Sequence, residues 1–412
     1  MIVQRVEKHI IKPSDPYYAM LDQFCFLSKN LYNHANFILH HAFLKNHKAV
    51  SYGDMDKIRK ADEEYPDYRA MPTAQSAQQV LRLLEKNWKS FFQSIKDWTK
   101  KKDNDTGKPK LPKYKKKDGR NLLILTNQNV KLRNGVLKFP KKLEGFELKP
   151  KCCGREHFYS FHQVRFLPKQ GHIVAEVVYR ISICEAKPEN QRYCSIDIGI
   201  DNLAAVTTNT GCRTYIINGK GLKSVNRYYN KQVSHYRETA KRMNGIDFTK
   251  RMGIITEKRN RKMEDYMHKA SRNIVDFCKD NDIPTIVIGY NKDWKRNSKL
   301  SHRVNQSFVG IPTQRLIEMI QYKAQEAGIT VILTEESYTS GTSFLDGEEP
   351  VKKNYDKRRR VSRGLFRSRN GIEINADINA SYQILKKVFP AAYANGIEGV
   401  VLHPVRVNAA SI

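Results

Sequence analysis

The sequence predicts a multidomain α+β protein, with a β-rich N-terminal half interrupted by helices and a C-terminal half in which strands and helices alternate. Three observations support this. The 412 residues suffice for two or three domains, and 40% of them are hydrophobic, enough to bury a core in each. Residues 122–183 form short alternating segments broken by turns. From about residue 191, apolar strands are separated by long helical stretches.

The N-terminal half is expected to hold a small β-barrel with a helical insertion. Residues 2–11 have the pattern of a strand, and apolar spacing predicts helices from Tyr17 to about Lys45 and from Ala74 to Lys100. The first strand would complete a barrel with the short strands that follow the helices. The predicted domains of this half are a barrel of residues 1–12 and 120–190 and a helical domain with a basic linker over residues 13–119.

The C-terminal half, residues 191–412, has the element order of an RNase H-like α/β domain. A three-stranded meander begins with the strand around Asp197, and a long helical stretch from about Gly221 to Cys278 follows it. A strand, a helix between residues 312 and 328, and another strand complete the order. A basic insertion is expected at about residues 341–372.

Charge and cysteine usage limit the function. Lysine and arginine number 73 against 42 acidic residues, a formal charge of +31, which points to nucleic acid as the partner. Seven cysteines without a CxxC pair indicate unpaired thiols in a reducing compartment, not a disulfide framework. No stretch approaches the roughly 20 apolar residues of a membrane span, so we expect a soluble cytoplasmic protein without a membrane partner.

The linker contains a run of lysines that we predict to contact nucleic-acid phosphates. A lysine run is often only a solvated surface, but here prolines and a tyrosine interrupt it within a strongly basic chain. The predicted contacts are Lys108, Lys110, Lys113, Lys115, Lys116 and Lys117.

Two aspartates are candidate ligands for metal ions. Hydrolysis of a phosphodiester is commonly served by two Mg²⁺ ions roughly 3.5–4 Å apart, held by oxygen ligands. Asp197 lies inside an apolar strand, where an acid is costly unless a metal, a cation or hydrogen bonds compensate it. Asp377 shares a helix face with Ser381. The alternatives are a buried, hydrogen-bonded Asp197 and an Asp377 that only stabilises the first turn of its helix.

These motifs together resemble the TnpB family of transposon-encoded proteins, which are related to type V CRISPR effectors. The segment Asp197-Ile-Gly-Ile-Asp201 and the segment Asn375-Ala-Asp377 resemble the first and third RuvC motifs, and His268-Lys269 resembles the helix before the second. The resemblance implies a wedge-type barrel with a helical recognition insertion and a RuvC nuclease domain. It also implies a guide RNA, a double-stranded DNA target and a place in the prokaryotic nucleoid.

The sequence departs from the family at the middle catalytic glutamate. Members usually carry it at the end of the strand where this chain has Gly289. Either the chain is an inactive, binding-only relative, or Glu335 or Glu336 at the end of the next strand reaches the same metal. We favour the second explanation, with only one of the pair facing inward because side chains on a strand alternate. Asp197, Asp377 and one of these glutamates would then bind two Mg²⁺ ions.

The family's zinc ribbon, made of two CxxC pairs, is also missing, so zinc is not expected. Basic residues occupy the insertion where the ribbon would be, and a solvated loop is the alternative to a nucleic-acid contact there. The further predicted nucleic-acid contacts are His268, Lys269, Lys357, Arg358, Arg359, Arg360, Arg363 and Arg367.

The function predicted from sequence is therefore an RNA-guided DNA endonuclease that cuts next to a short flanking motif. The alternatives are an RNA-guided DNA-binding protein that has lost cleavage, a transposase that joins DNA ends, and a compact type V CRISPR effector. The absence of a helix-turn-helix signature argues against the transposase. The oligomeric state is left open, with a monomer as the expectation.

Overall fold

The computed structural model describes residues 1–46, 50–101, 107–291, 306, 309–362, 364–393 and 400–409. Arg363, one of the predicted nucleic-acid contacts, lies outside them. The chain folds as two compact units, one of Ile2–Ser182 and one of Ile183–Ile412 together with Met1. The predicted division of the first unit into a barrel and a helical domain stays a prediction.

The unit Ile2–Ser182 begins with a strand, continues through four helices and ends in six strands. Both long helices predicted from the sequence are present. The helices are α1 (Tyr18–Asn46), α2 (Tyr52–Ala61), α3 (Asp67–Ala70) and α4 (Ala74–Lys101). The strands are β1 (Ile2–Ile11), β2 (Leu123–Thr126), β3 (Lys131–Arg133), β4 (Val136–Lys138), β5 (Glu147–Leu148), β6 (Phe158–Lys169) and β7 (His172–Ser182).

Helices α1 and α4 pack through the apolar stripe that the sequence predicts for α4. Leu84 and Trp88 of α4 and Leu31 of α1 are almost fully buried. The indole Nε1 of Trp88 donates a hydrogen bond of 2.9 Å to Asn36 Oδ1, which satisfies the one polar atom of that ring inside the core. Trp88 is thus a core residue, as the spacing of the stripe indicates.

The strands of this unit form two sheets, and the described residues do not close into the expected barrel. The larger sheet has the antiparallel order β1-β7-β6-β2, and β3, β4 and β5 pair only with one another. Strands β1 and β2 form the two edges of this sheet. Within the described residues they do not pair with each other, so the sheet stays open. The reason is length, because β2 has four residues against ten in β1, and the strands between β2 and β6 have two or three.

The unit Ile183–Ile412 contains a meander, two long helices, and then alternating strands and helices, the order that the sequence predicts. Its strands are β8 (Tyr193–Ile198), β9 (Asn202–Thr208), β10 (Tyr215–Asn218), β11 (Thr285–Gly289), β12 (Thr330–Thr334), β13 (Leu365–Arg367), β14 (Glu373–Asn375) and β15 (Val405–Val407). Its helices are α5 (Lys220–Asn244), α6 (Lys250–Asp280), α7 (Thr313–Glu326) and α8 (Ala376–Val388).

Six of these strands form one mixed sheet of order β12-β11-β8-β9-β10-β15. Strands β12, β11 and β8 run parallel, β9 is antiparallel to both its neighbours, and β15 is parallel to β10. One face of the sheet packs against α6 and α7, with Ile196, Ile274 and Ile320 in a shared core. The other face packs against α8, where Val287 contacts Ile384 and Leu385.

The helical stretch predicted as continuous from Gly221 to Cys278 is two helices. Helix α5 ends at Gly245, which adopts φ of 64° and donates its backbone N–H to the carbonyl of Lys241. This left-handed geometry is the usual way in which glycine ends a helix. Helix α6 then starts afresh after Thr249, whose side chain accepts a hydrogen bond from the N–H of Met252.

Candidate functional site

Asp197 lies on the face of the sheet that α8 covers. Its neighbours Ile196 and Ile198 point into the core on the opposite face, so alternation along β8 turns Asp197 toward α8. The strand then makes a tight turn at Gly199, where a Cβ would lie 2.4 Å from the carbonyl oxygen of Asn202. Only glycine fits this close approach, which joins β8 to β9 directly beside Asp197.

A buried cluster of three hydroxyl groups fixes α8 against β8 and β9. Ser195 Oγ donates to the backbone carbonyl of Ser381 at 2.7 Å, and Ser381 Oγ donates to that of Ser195 at 3.0 Å. Thr207 Oγ1 lies 2.9 Å from Ser381 Oγ. Ser381, which the sequence places one turn from Asp377, is therefore an anchor that sets where Asp377 stands over the sheet.

Asp377 does not cap its helix. Asn375 does so, since its side-chain oxygen accepts hydrogen bonds from the N–H groups of Asp377 and Ile378 at 3.1 and 3.2 Å. The Asp377 carboxylate instead accepts a hydrogen bond of 2.5 Å from Asn202 Nδ2 and lies 3.4 Å from Arg360 Nη2. Asp377 lies in the first turn of α8, so the alternative that its charge stabilises that turn stays open beside its contact with β9.

The two glutamates after β12 lie in different surroundings. Glu335 is exposed, and its carboxylate accepts a hydrogen bond from Ser337 Oγ. Glu336 is half-buried, its Oε2 accepts from Asn291 Nδ2 at 3.2 Å, and its N–H donates to Asn291 Oδ1 at 3.2 Å. Glu336 is thus the glutamate that the structure brings to Asp197, and Glu335 is not.

Gly289 makes the space that Glu336 occupies. Strand β11 pairs Ile288 with Ile196, so Gly289 lies one residue beyond that pair, as Asp197 does in β8. A Cβ at Gly289 would lie 2.7 Å from Glu336 Cγ and 2.5 Å from Ile384 Cδ1. The side chain of Glu336 therefore fills the position from which a glutamate at residue 289 would project.

The three carboxylates influence one another electrostatically. Burial, reinforced by the charges of Glu336 and Asp377, holds the pKa of Asp197 well above its usual range, and Arg360 acts in the opposite direction. Burial raises the pKa of Glu336 to about 7. Without a bound cation, the cluster therefore favours protonation of Asp197 and Glu336 over full ionisation of all three acids.

Within the described part of the chain, no group of three or more acidic, histidine or cysteine side chains is arranged to hold a metal ion. The Asp377 carboxylate contacts Asn202 and Arg360. The donor types nevertheless fit a hard cation, since all three are carboxylates and their charge is incompletely balanced.

The linker lysines lie on the surface of the first unit. Lys115 is half-buried, with its Nζ 4.9 Å from the centre of the Tyr32 ring. The others are exposed, namely Lys108, Lys110, Lys113, Lys116 and Lys117.

The arginines of the insertion do not share one environment. Arg358 is 90% exposed beside Asp356, and Arg367 pairs with Glu373 at 2.7 Å. Arg359 differs from the expectation of a nucleic-acid contact, because it is 14% exposed and its guanidinium binds Glu348 and Asp346. Lys357 is exposed, and Arg360 faces Asp377.

The two basic residues predicted on α6 lie on its outer surface. His268 is exposed, and its backbone carbonyl accepts a hydrogen bond of 2.6 Å from Lys323 Nζ. Lys269 lies 3.9 Å from Asp265 one turn away, a loose surface pair. The structure brings neither of them to the carboxylates.

Sequence reasoning missed Asn202 and Asn291, which orient Asp377 and Glu336 respectively. Asn202 is the first residue of β9, and Asn291 lies two residues beyond the end of β11. The position of Asn202 five residues after Asp197 was the available signal, since a meander returns that residue to the same edge.

None of the described helices combines the length and apolar character needed to cross a bilayer.

Two family models match separate parts of the chain. Residues 172–295 match the family OrfB_IS605, described as a probable transposase. Residues 314–384 match the TNB domain of Cas12f1-like proteins.

Three individual proteins are also similar. TnpB-like protein ORF457 of Acidianus two-tailed virus is 24% identical over 405 residues, which cover 88% of this chain and 81% of the viral protein. A Cas12f1-sgRNA-target DNA complex matches with a TM-score of 0.37 and 14% identity, covering 93% of this chain and 98% of that one. A CRISPR-Cas12f ternary complex has the same TM-score and identity, covering 89% and 81%. Parts of the chain are thus similar to OrfB_IS605 and Cas12f1-like proteins, and most of its length is similar to a TnpB-like viral protein.

Proposed function

We propose that this protein is an RNA-guided DNA endonuclease, and that its C-terminal unit is a RuvC-type domain of the RNase H-like fold. The observation that carries the proposal is the group of Asp197, Glu336 and Asp377 at one edge of the mixed sheet. The strand order and the family matches support it. The net charge of +31 supports nucleic acid as the partner.

Asp197, Glu336 and Asp377 are the residues that would hold Mg²⁺. When bound, Mg²⁺ would supply an activated water and neutralise charge on the phosphate. The chain's own contribution is to hold the carboxylates in place, with Asn202 orienting Asp377 and Asn291 orienting Glu336. Arg360, 42% exposed beside Asp377, would bind a phosphate oxygen of the nucleic acid.

A second candidate is a protein that binds DNA through a guide RNA without cutting it. The observation in its favour is the contact of Asp377 with Asn202 and Arg360, which leaves the described side chains without a ready-made metal cage. The placement of three carboxylates, Asp197, Glu336 and Asp377, at one end of the sheet argues against it.

The test uses the full chain purified with its bound RNA and a DNA target matching the guide region of that RNA. Sequencing the RNA separates a transposon-derived guide from a CRISPR-derived one. We expect cleavage in Mg²⁺, and we expect Asp197→Ala to abolish it while RNA binding persists. Asp201→Ala is the matched control, because Asp201 lies four residues away in an ion pair with Lys223. Tight target binding by the wild-type protein without cleavage in Mg²⁺ or Mn²⁺ would establish the second candidate.

A further inference from the structure

The basic segment, residues 107–117, is irregular in backbone conformation but is tied to one face of helix α1. Its carbonyl groups accept hydrogen bonds from side chains that are spaced four, three and four residues apart on α1, which places them in a single row along the helix. The members of this row are Lys29, Asn33, Asn36 and His40.

Asn33 holds the middle of the segment with two hydrogen bonds. Its Nδ2 donates to the backbone carbonyl of Lys115 at 2.9 Å, and its Oδ1 accepts from the N–H of Lys115 at 2.8 Å. This reciprocal pair imitates the pairing of a neighbouring strand. It fixes Lys115 more firmly than a single hydrogen bond would.

Bonds on both sides of Lys115 hold the segment in the same way, at Pro112 and at Lys117. Asn36 Nδ2 donates to the carbonyl of Pro112 at 3.0 Å, and His40 Nε2 lies 2.9 Å from that carbonyl oxygen. Lys29 Nζ donates to the carbonyl of Lys117 at 2.8 Å. A row of side chains on a rigid helix therefore sets the path of the backbone from residue 112 to residue 117.

With the backbone directed at α1, most of the lysine side chains project outward. Five of the six are exposed, and within the described residues none of these five is paired with a carboxylate. Tyr114 is 47% exposed among them, and its ring packs 5.0 Å from that of His40. Unpaired ammonium groups on a fixed backbone, with an aromatic ring between them, suit a polyanion with planar bases.

We propose that the basic segment is a pre-formed binding site for the phosphodiester backbone of nucleic acid, and that α1 creates it by fixing the segment in its binding conformation. The inference rests on the proposed function for its partner but adds the residues that shape the site. Asn33 and His40 are positioning residues, which act through the lysines without touching the ligand. Fixing the chain in advance removes an entropic cost that a free lysine run would meet on binding.

The experiment measures the affinity of the full chain, freed of bound RNA, for a labelled single-stranded RNA and for a labelled DNA duplex across a series of salt concentrations. The test variant is Asn33→Ala/His40→Ala, which leaves the bond between Asn36 and Trp88 intact. His41→Ala is the control, since His41 is exposed on the same helix beside His40 and packs against Phe37.

The salt dependence of the affinity distinguishes loss of backbone positioning from loss of lysine charge. The test variant keeps every lysine, so we expect its affinity to fall roughly five- to tenfold with no change in the salt slope. Lys113→Ala/Lys116→Ala should lower both the affinity and the slope, the latter by about 1.4–1.8 for two lost phosphate contacts. His41→Ala should bind as the wild type does. A loss confined to RNA or to DNA supports the proposal and names the source of the phosphates.

Two results would overturn the inference. If Asn33→Ala/His40→Ala binds both ligands as tightly as the wild type while the lysine variant is weakened, α1 does not shape the site. If the lysine variant also binds normally, the segment is a solvated surface. Failure of the wild-type protein to bind either nucleic acid would instead contradict the proposed function.

Discussion

Two groups of carboxylates in the unit Ile183–Ile412 differ in how their charge is balanced. At one, Asp197, Glu336 and Asp377 face one another, and burial with mutual repulsion raises the pKa of Asp197. At the other, Asp346 and Glu348 are 8% and 6% exposed, and both bind the guanidinium of Arg359.

The second group, the insertion ion-pair cluster of Asp346, Glu348, Arg359 and Arg369, satisfies its acids from several directions. Burial alone would raise the pKa of Asp346, but hydrogen bonds from the Arg369 backbone, Ser343 and Arg359 outweigh it and hold that pKa below its usual range. Arg369 adds an ion pair of 2.9 Å to Glu348. Burial is thus common to both groups, and only the balance of charge separates a candidate metal site from a structural ion pair.

The largest effect is expected when the glutamate is moved from residue 336 to residue 289, where TnpB proteins usually carry it. Gly289→Glu alone should crowd Glu336 and abolish cleavage, because even a Cβ at residue 289 lies 2.7 Å from Glu336 Cγ. The combined variant Gly289→Glu/Glu336→Gly, with Ile384→Val to make room, should cut at least about tenfold faster than Glu336→Gly. Cleavage of guide-matched DNA in Mg²⁺ measures this. Equal rates for the combined variant and Glu336→Gly would show that the two positions do not serve one ligand site.

A smaller effect, on stability, is expected in the insertion ion-pair cluster, where arginines balance the charge of the carboxylates. Arg359→Met removes the cation between two buried carboxylates and should lower the free energy of unfolding by about 2–4 kcal/mol. Arg358→Met should have little effect, because Arg358 is 90% exposed. Thermal unfolding of the full chain in EDTA provides the measurement. Equal melting temperatures for the two variants would show that the insertion ion-pair cluster does not stabilise the fold.

The smallest effect is the opposite pH dependence of the two groups in metal-free protein. The pKa of Glu336 is raised from 4.5 to about 7, so the folded state binds more protons between those values and stability falls as pH rises through them. Glu336→Gln should therefore stabilise the protein at pH 8, by on the order of 2 kcal/mol.

Asp346 should behave in the opposite way, because its folded pKa lies below 3.8. Its stabilising contribution is complete well above pH 3.8 and is lost as pH falls through the folded pKa. Asp346→Asn should therefore destabilise the protein at pH 8, where Glu336→Gln stabilises it. Melting temperatures of both variants in EDTA across pH 5–8 test the pair of signs, and shifts of the same sign would remove the distinction between the two groups.

Local sequence patterns predicted Asp197 and the glutamate pair as parts of the candidate site. The choice between the two glutamates depends on the register between distant strands. An acid inside an apolar strand singled out Asp197, and alternation showed that only one of Glu335 and Glu336 could face inward. Which one does so follows from the pairing of Gly289 with Thr334 between β11 and β12, a long-range register that sequence does not contain. The helix break at Gly245 was readable in principle, since Asn-Gly is a common helix end.

The open N-terminal sheet and the role of Arg359 were beyond local reasoning. Alternation of apolar and polar residues predicts strands but not whether the two edge strands of a sheet pair. In the described part of the chain, β1 and β2 do not pair with each other. Three consecutive arginines look alike in sequence, whereas a 3₁₀ turn over Lys357–Arg359 sends Arg359 inward to Glu348 and leaves Arg358 in solvent.

The central claim, that Glu336 completes the site which Asp197 begins, is tested most directly by DNA cleavage with Glu336→Gln and Glu335→Gln side by side. Both variants remove one negative charge from adjacent residues, so each is the control for the other. We predict a loss of several orders of magnitude for Glu336→Gln, with guide RNA still bound, and nearly normal cleavage for Glu335→Gln, whose side chain is exposed. Normal cleavage by Glu336→Gln, or a severe loss confined to Glu335→Gln, would contradict the account.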